Sequence, residues 1–514
     1  MPSSPRYKTA SQRFPRSRVS TFDAAWVAAI KGNSGSRLKA DYHYKKITDP
    51  IHGNIGLSKV ESEIVSTRVF QRLHSVRQLG LAHLVYPGAN YSRHSHSIGA
   101  CHNASRMLLA IQRNSGTRVS DKKLQLYRLV GLLHDIGHYP FSHATEHLVK
   151  AYYASGIISS SGQNIPLPGS SVIGPQENVP LSYEHEELGE LIIRRDVELG
   201  NVLRSNGIDP NEVADLFAGK QPSGLRGIIS SDLDCDRLDY LRRTAHFSGA
   251  PYGSVDIDFI IDQSTLDKDG RFCLKPKALR AADHLLISRY YDYMQVPYNK
   301  TVAALEWSLV SGLRALLNAG YVKCSGIDML DRVVSGSWFQ FDDQSVFEDF
   351  KKLLRSIADS NSEDDLILKD HLIDIIRRSP PKTVASWEEI VPKANKREDT
   401  KTQKLVNFGV REVVERLGIN PSRLHVWSSP LQLSKVGPDE DVSDDRSAEA
   451  IYVLDPKTKR GRVLNYHRET LLHVLSSHRY VGLRLYYLPE QGEEPSKKIE
   501  AIRRIMAEQV EPSS

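Results

Sequence analysis

Residues 124–138, LQLYRLVGLLHDIGH, set the tightest limit on what this chain can become. The segment is apolar enough to require burial as a helix, with Ser120 or Asp121 placed to cap its start and Gly137 to stop it. Its end sets His134 beside Asp135, with His138 four residues on and near the same face if the helical turn persists. Burying an imidazole and a carboxylate together on an apolar helix is unfavourable without compensation, and a divalent cation is the natural compensation. Pro140, Phe141 and His143 follow at once, so the pair is hemmed in by apolar and imidazole groups.

Two ligands would leave such a cation under-coordinated, so further His or Asp donors are expected from elsewhere. One source is Ser92-Arg93-His94-Ser95-His96-Ser97, just before a helix; the other is residues 231–240, SDLDCDRLDY. If the second is helical, Asp236, Asp239, Tyr240 and Arg243 share one face and make a surface suited to phosphate. An exposed helix laced with i, i+4 ion pairs is the competing reading of that pattern. The histidines are grouped as well: ten of nineteen lie between positions 74 and 185. An even spread would put about four there, a grouping that favours metal chemistry.

With 514 residues, 40% hydrophobic and 25% charged, the chain has the composition of a soluble globular protein with a large core and an appended domain. Residues 44–318 read as successive amphipathic helices, interrupted at 154–180 by a Ser-, Gly- and Pro-rich loop, and the fold class expected is mainly α. Residues 319–400 read as a helical extension with charged linkers such as 393–401. Apolar runs at 451–454 and 462–464 flank a turn at 456–460, and 480–488 alternates, giving a small α+β lobe over 401–490. A polar tail, 491–514, closes the chain, ending in a short helix. No internal repeat is visible. Four cysteines without a CxxC pair read as reduced thiols, hence an intracellular protein, cytoplasmic first with nucleus or organelle open. No apolar run approaches the roughly 18 residues a membrane span needs, so no membrane partner is expected. Residues 1–43 form a basic leader; within 1–40 eight Lys or Arg face the single acid Asp23. It reads as a disordered solvated tail, with a transit peptide or a nucleic-acid-binding arm as alternatives.

Taken in order, Arg93-x-x-His96, His134-Asp135, His138-x-Pro140-Phe141-Ser142-His143 and Asp236-Arg237-x-Asp239-Tyr240 resemble the HD-domain deoxynucleoside triphosphate triphosphohydrolases. Asp49-Pro50-Ile51-His52-Gly53, Phe70-Gln71-Arg72-Leu73, Gln78-Leu79-Gly80 and Val85-Tyr86-Pro87-Gly88-Ala89 extend the likeness to members pairing a SAM with an HD domain and to their bacterial relatives. The resemblance spans roughly residues 45–310 and, more weakly, 401–490. It implies a helical HD-domain fold and metal ligands His96, His134, Asp135 and Asp236. It further implies His185 as a catalytic histidine supported by Glu146, with His138 and His143 lining the same pocket, and Gln78, Arg93, Arg237, Tyr240 and Arg289 contacting the nucleotide or its phosphates.

The implied reaction is attack of metal-activated water on the α-phosphate, releasing nucleoside and inorganic triphosphate, with His185 donating a proton to the leaving ribose oxygen. The metal would be a transition ion, Fe, Zn or Mn, with Mg²⁺ accompanying the nucleoside triphosphate, and the protein would form a homodimer or homotetramer. The chain departs from the family at four places. Thr244 replaces an Asp that recognises the sugar, Pro297 replaces a Tyr that packs on it, and Ser66 and His74 replace the acid and arginine of the allosteric guanine site. Two other readings compete: a phosphodiesterase or nuclease on another phosphoester such as single-stranded nucleic acid, and a non-catalytic nucleotide-sensing regulator.

Overall fold

The computed structural model describes residues 44–154, 179–220, 224–253, 255–393, 396–432 and 450–510. The basic leader and most of the 154–180 insertion lie outside the described residues. Helices carry most of the structure. The principal ones are α1 (Arg93–Ser115), α2 (Asp121–Leu133), α3 (His143–Ala154), α4 (His185–Arg195), α5 (Cys235–Ser248), α6 (Leu279–Gln295), α7 (Lys300–Asn318), α8 (Asp343–Ser356), α9 (Glu363–Arg377), α10 (Lys396–Leu417) and α11 (Ser496–Ala507). Among the described residues no helix is long and apolar enough to cross a membrane.

The strands are β1 (Lys45–Asp49), β2 (Gly53–Leu57), β3 (Ser264–Leu266), β4 (Phe272–Leu274), β5 (Lys382–Pro392), β6 (Leu424–Gln432), β7 (Tyr452–Leu454), β8 (Gly461–Val463) and β9 (His478–Tyr487). They make a β1–β2 hairpin, a four-stranded sheet in the order β3-β4-β7-β8, and a three-stranded antiparallel sheet with β9 between β5 and β6.

The mainly helical expectation holds, and the differences lie at the boundaries. Residues 44–57, read as helical, form a hairpin instead, because Ile47, Ile55 and Leu57 must reach the core while the short turn around Gly53, at φ +71°, reverses the chain. The region 382–392, assigned to a helical extension, is the strand β5. The hairpin β7–β8 does not join its neighbours in sequence; Val453 pairs in parallel with Leu274, which puts it in the sheet begun by β3 and β4. The polar tail carries the short helix expected of it, α11, but is not merely polar: its Ile502, Ile505 and Met506 complete a separate apolar core with Trp387, Val406, Val413 and Leu485.

The larger core holds the site. Leu129, Val130, Leu132 and Leu133 of α2 are buried completely against α1, where Ala100, Ala104, Leu108 and Ile111 face them. α2 therefore runs through the middle of the domain, and its C-terminal end has a fixed position.

Candidate metal and phosphate site

The apolar helix starts where Ser120 Oγ accepts from the Lys123 N–H, one of the two caps foreseen. It stops sooner than its sequence suggests. α2 ends at Leu133, His134 is its cap, and residues 134–137 form a turn, so His138 is not carried on a continuing helical face. The chain must bend because Gly137 packs onto the start of α4: a Cβ there would lie 2.1 Å from the His185 carbonyl oxygen and 2.4 Å from the Gly189 nitrogen. Beyond the turn, Phe141 and Ser142 both adopt left-handed backbone, at φ +56° and +59°. Two such non-glycine residues in succession are strained. Asp343 Oδ1 accepts from the Phe141 N–H at 2.8 Å, and Arg93 Nε donates to Ser142 Oγ at 3.0 Å, holding them there.

Four side chains converge at the end of α2. His96 Nε2 lies 2.8 Å from Asp236 Oδ1, 3.1 Å from His134 Nε2 and 3.7 Å from Asp135 Oδ2, and His134 Nε2 is 3.3 Å from Asp135 Oδ1. His96, from the first turn of α1, is completely buried, and Asp236 comes from the first turn of α5. Both imidazoles are aimed by their second nitrogens: His134 Nδ1 donates to the Gly131 carbonyl at 2.9 Å and His96 Nδ1 to Asp239 Oδ2 at 2.7 Å.

The structure puts Asp239 and Arg243 elsewhere than the phosphate surface expected of them. Both are completely buried, and Arg243 clasps Asp239 through Nε and Nη2 at 2.7 and 2.9 Å while Nη1 donates to Asp49 Oδ2 at 2.8 Å. His52 Nε2 donates to the other oxygen of Asp239 at 2.7 Å. This network orients His96 and leaves its Nε2 for the centre, the usual arrangement behind a metal-binding histidine.

The electrostatics favour a cation. Burial opposes charge on His96, yet the carboxylates of Asp236 and Asp239 outweigh it and hold the imidazole up at about 10. Burial equally opposes ionising Asp135, and Arg93 together with His134 and His138 overrides it, keeping the carboxyl well below its usual range. Asp135 Oδ2 is nevertheless a buried acceptor without a hydrogen-bond partner, His96 Nε2 standing off at 3.7 Å. Two imidazoles and two carboxylates around one point, one oxygen unsatisfied, fit a divalent transition metal. His96, His134, Asp135 and Asp236 would hold it.

A second group adjoins the first. Glu146 Oε1 accepts from His185 Nδ1 at 2.8 Å and from the His185 backbone N–H at 2.9 Å, while Oε2 pairs with His143 Nδ1 at 3.0 Å. Burial would raise Glu146, but these histidine contacts pull it well below the ordinary carboxylate range. His185 stacks on His138 with ring centres 4.0 Å apart, and His138 Nε2 reaches Asp135 Oδ1 at 3.1 Å. Burial, with Arg93 and His185 nearby, pushes the His138 imidazole well below its ordinary value, so this ring is neutral.

Both groups face one cavity of about 1000 Å³. Arg93, Arg237 and Arg289 line it. In the structure Arg93 Nη1 pairs with Asp135 Oδ1 at 2.7 Å, and the other two share one carboxylate, Asp232 Oδ1, at 2.8 and 2.9 Å. Gln78 and Tyr240 lie on the wall, and the buried Gln78 Oε1 has no partner. Thr244 also lines the cavity, its hydroxyl 2.7 Å from that of Tyr91, and so does Pro297. Ser66 and His74 do not line it; the His74 ring stacks on His94 at 3.6 Å. No role was assigned from sequence to the supporting residues Asp49, His52, Asp232 and Asp343, although the first three fall in segments singled out there. The short Asp49-x-x-His52 run near the start offered a signal.

Residues 93–241 match the family model of the HD domain. The uncharacterized protein YwfO of Bacillus subtilis is 26% identical over 460 residues, covering 86% of this chain and 92% of that protein. The bovine deoxynucleoside triphosphate triphosphohydrolase SAMHD1 is 38% identical over 234 residues, 40% of this chain and 36% of its own length. A hypothetical protein from Aquifex aeolicus of known structure superposes with a TM-score of 0.63 over 90% of this chain and 99% of its own, at 23% identity. The chain thus carries an HD domain, and across that domain it resembles the deoxynucleoside triphosphate triphosphohydrolases.

Proposed function

We propose that the protein is a phosphohydrolase that cleaves nucleoside triphosphates, deoxynucleotides foremost, to nucleoside and inorganic triphosphate. The observation that carries this reading is the meeting of three features on one cavity: the His96–His134–Asp135 cluster with Asp236 beside it, which would hold a metal, the Glu146–His185 pair, and three arginines. The likeness to the bovine enzyme, by its name, supports the same substrate class.

His96, His134, Asp135 and Asp236 would hold a divalent cation, which when bound would supply Lewis acidity: a water of lowered pKa and polarisation of a phosphate oxygen. The chain's own residues do the rest. Arg237 and Arg289 neutralise the triphosphate, whose charge would otherwise oppose a nucleophile, and their shared tether to Asp232 keeps both guanidinium groups at the wall. Arg93 holds Asp135 ionised and in place. Glu146 accepts from His185 Nδ1, which fixes the ring and leaves Nε2 as the nitrogen that protonates the departing ribose oxygen. His138 stacks under His185, and burial, with Arg93 and His185 nearby, pushes its own imidazole well below the ordinary value.

The reading is tested by incubating purified protein with each dNTP and NTP in Mg²⁺ or Mn²⁺ and identifying products by chromatography with mass detection. Nucleoside with intact triphosphate supports it. Nucleoside monophosphate with pyrophosphate, or no turnover of nucleotides by protein that cleaves a single-stranded oligonucleotide in a parallel incubation, would replace it with phosphodiesterase or nuclease action.

A further inference from the structure

α6 lays successive side chains along the cavity. Arg289, Asp292 and Tyr293 stand at i, i+3 and i+4, Val296 follows at i+7, and all four line the wall. Arg289 is tied to Arg237 through Asp232 at the end facing the metal centre. One helical turn is about 5.4 Å, so Asp292 stands one turn beyond the phosphate-binding guanidinium, at the level that follows the phosphates in a bound nucleotide.

Asp292 is an unusual group for that place. It is 3% exposed, and Tyr252 OH donates a hydrogen bond to its Oδ1 at 2.5 Å. Among the described residues no cation lies within ion-pairing distance of it. Burial pushes the carboxyl up to about 7, against the opposing effects of Tyr252 and Arg289. A buried carboxyl so sparsely satisfied costs stability, and a ligand hydroxyl would complete its hydrogen bonding. The Tyr91 and Thr244 hydroxyls on the same wall are hydrogen-bonded to each other at 2.7 Å.

We propose that Asp292 is a specificity-determining residue that accepts a hydrogen bond from a sugar hydroxyl of the nucleotide; the inference rests on the nucleotide reading above. The test compares kcat/KM for the 2′-deoxy, ribo and 2′,3′-dideoxy forms of one nucleotide in wild type, Asp292→Ala and Asp292→Asn. Wild type is expected to favour the hydroxylated forms over the dideoxy form by at least about tenfold. In Asp292→Ala that preference should fall to within about twofold. Asp292→Asn keeps an acceptor without the charge, should fall between the two, and serves if the alanine variant does not fold. A preference unchanged in these variants, or absent in wild type, overturns the role of Asp292 and leaves the triphosphohydrolase reading standing. A wild type that turns over none of the three nucleotides overturns both.

Discussion

A single hydrogen atom at position 99 decides whether the metal centre can be supported. A Cβ on Gly99 would lie 1.9 Å from Asp239 Oδ1 and 2.7 Å from Arg243 Nη2, so alanine there displaces the carboxylate that aims His96. Gly99→Ala is expected to weaken metal binding about 10- to 100-fold, read by competition with a chromogenic chelator; unchanged affinity would detach this network from the site. The two groups of the site should separate under substitution. Asp135→Ala is expected to lose bound metal and turnover together, whereas His185→Ala should keep its metal by elemental analysis while kcat falls about 10²- to 10⁴-fold. Loss of metal from the His185 variant would contradict the division of roles. Much of this was legible from residue types alone: His134 and Asp135 at the end of an apolar helix call for a compensating cation. The direction of Arg243 was not, because spacing puts Asp239 and Arg243 on one face of α5 without saying that Asp49 and His52 wait on the other side of it.

Among the elements, α2 illustrates how little of a site's position depends on its caps. Ser120→Ala removes one hydrogen bond at the far end of a helix whose Leu124 and residues 126–133 are locked in the core, and is expected to cost about 1 kcal/mol in denaturant unfolding with kcat unchanged. A matching loss of activity would mean that the helix end is less firmly held than its burial implies. The periodicity that made α2 readable fails at β5. Its burial alternates imperfectly along KTVASWEEIVP, with a register shift between Thr383 and Ala385, and its charged outer positions match the helical linkers around it. α11 was expected as a helix, but its packing was not legible: Ile502, Ile505 and Met506 are spaced for one helical face, yet five charged residues surround them in SKKIEAIRRIMA, so the segment reads as polar until β9 and α10 supply the surface it covers.

At the scale of the whole molecule, the cavity is a joint product of the helical domain and the C-terminal sheet. Trp427 and Ser429 of β6 reach its wall, where Ser429 Oγ donates to Tyr298 OH at 2.6 Å and Trp427 packs edge-on against the Tyr298 ring. Neither the joint nor the pairing of β7 with β4 could be read from local patterns, since both depend on partners far away in sequence. Metal and stability should be linked through pH. His96, held up at about 10 in the folded metal-free protein, keeps its proton where the unfolded chain releases it near 6.5. Its contribution is complete below about 6.5 and is lost as pH rises toward 10. Calorimetry of chelator-treated protein is therefore expected to show Tm falling from pH 7 to 9, and the stabilisation given by added metal growing over the same range because a cation competes with that proton. A Tm that rises with pH there would contradict the protonated His96. The central claim is that water attacks the α-phosphate, and its most direct test is turnover of a deoxynucleoside triphosphate in 18O-labelled water with mass analysis of both products. The account predicts one label in the triphosphate and none in the nucleoside; label in the nucleoside, or release of a nucleoside monophosphate, would contradict it.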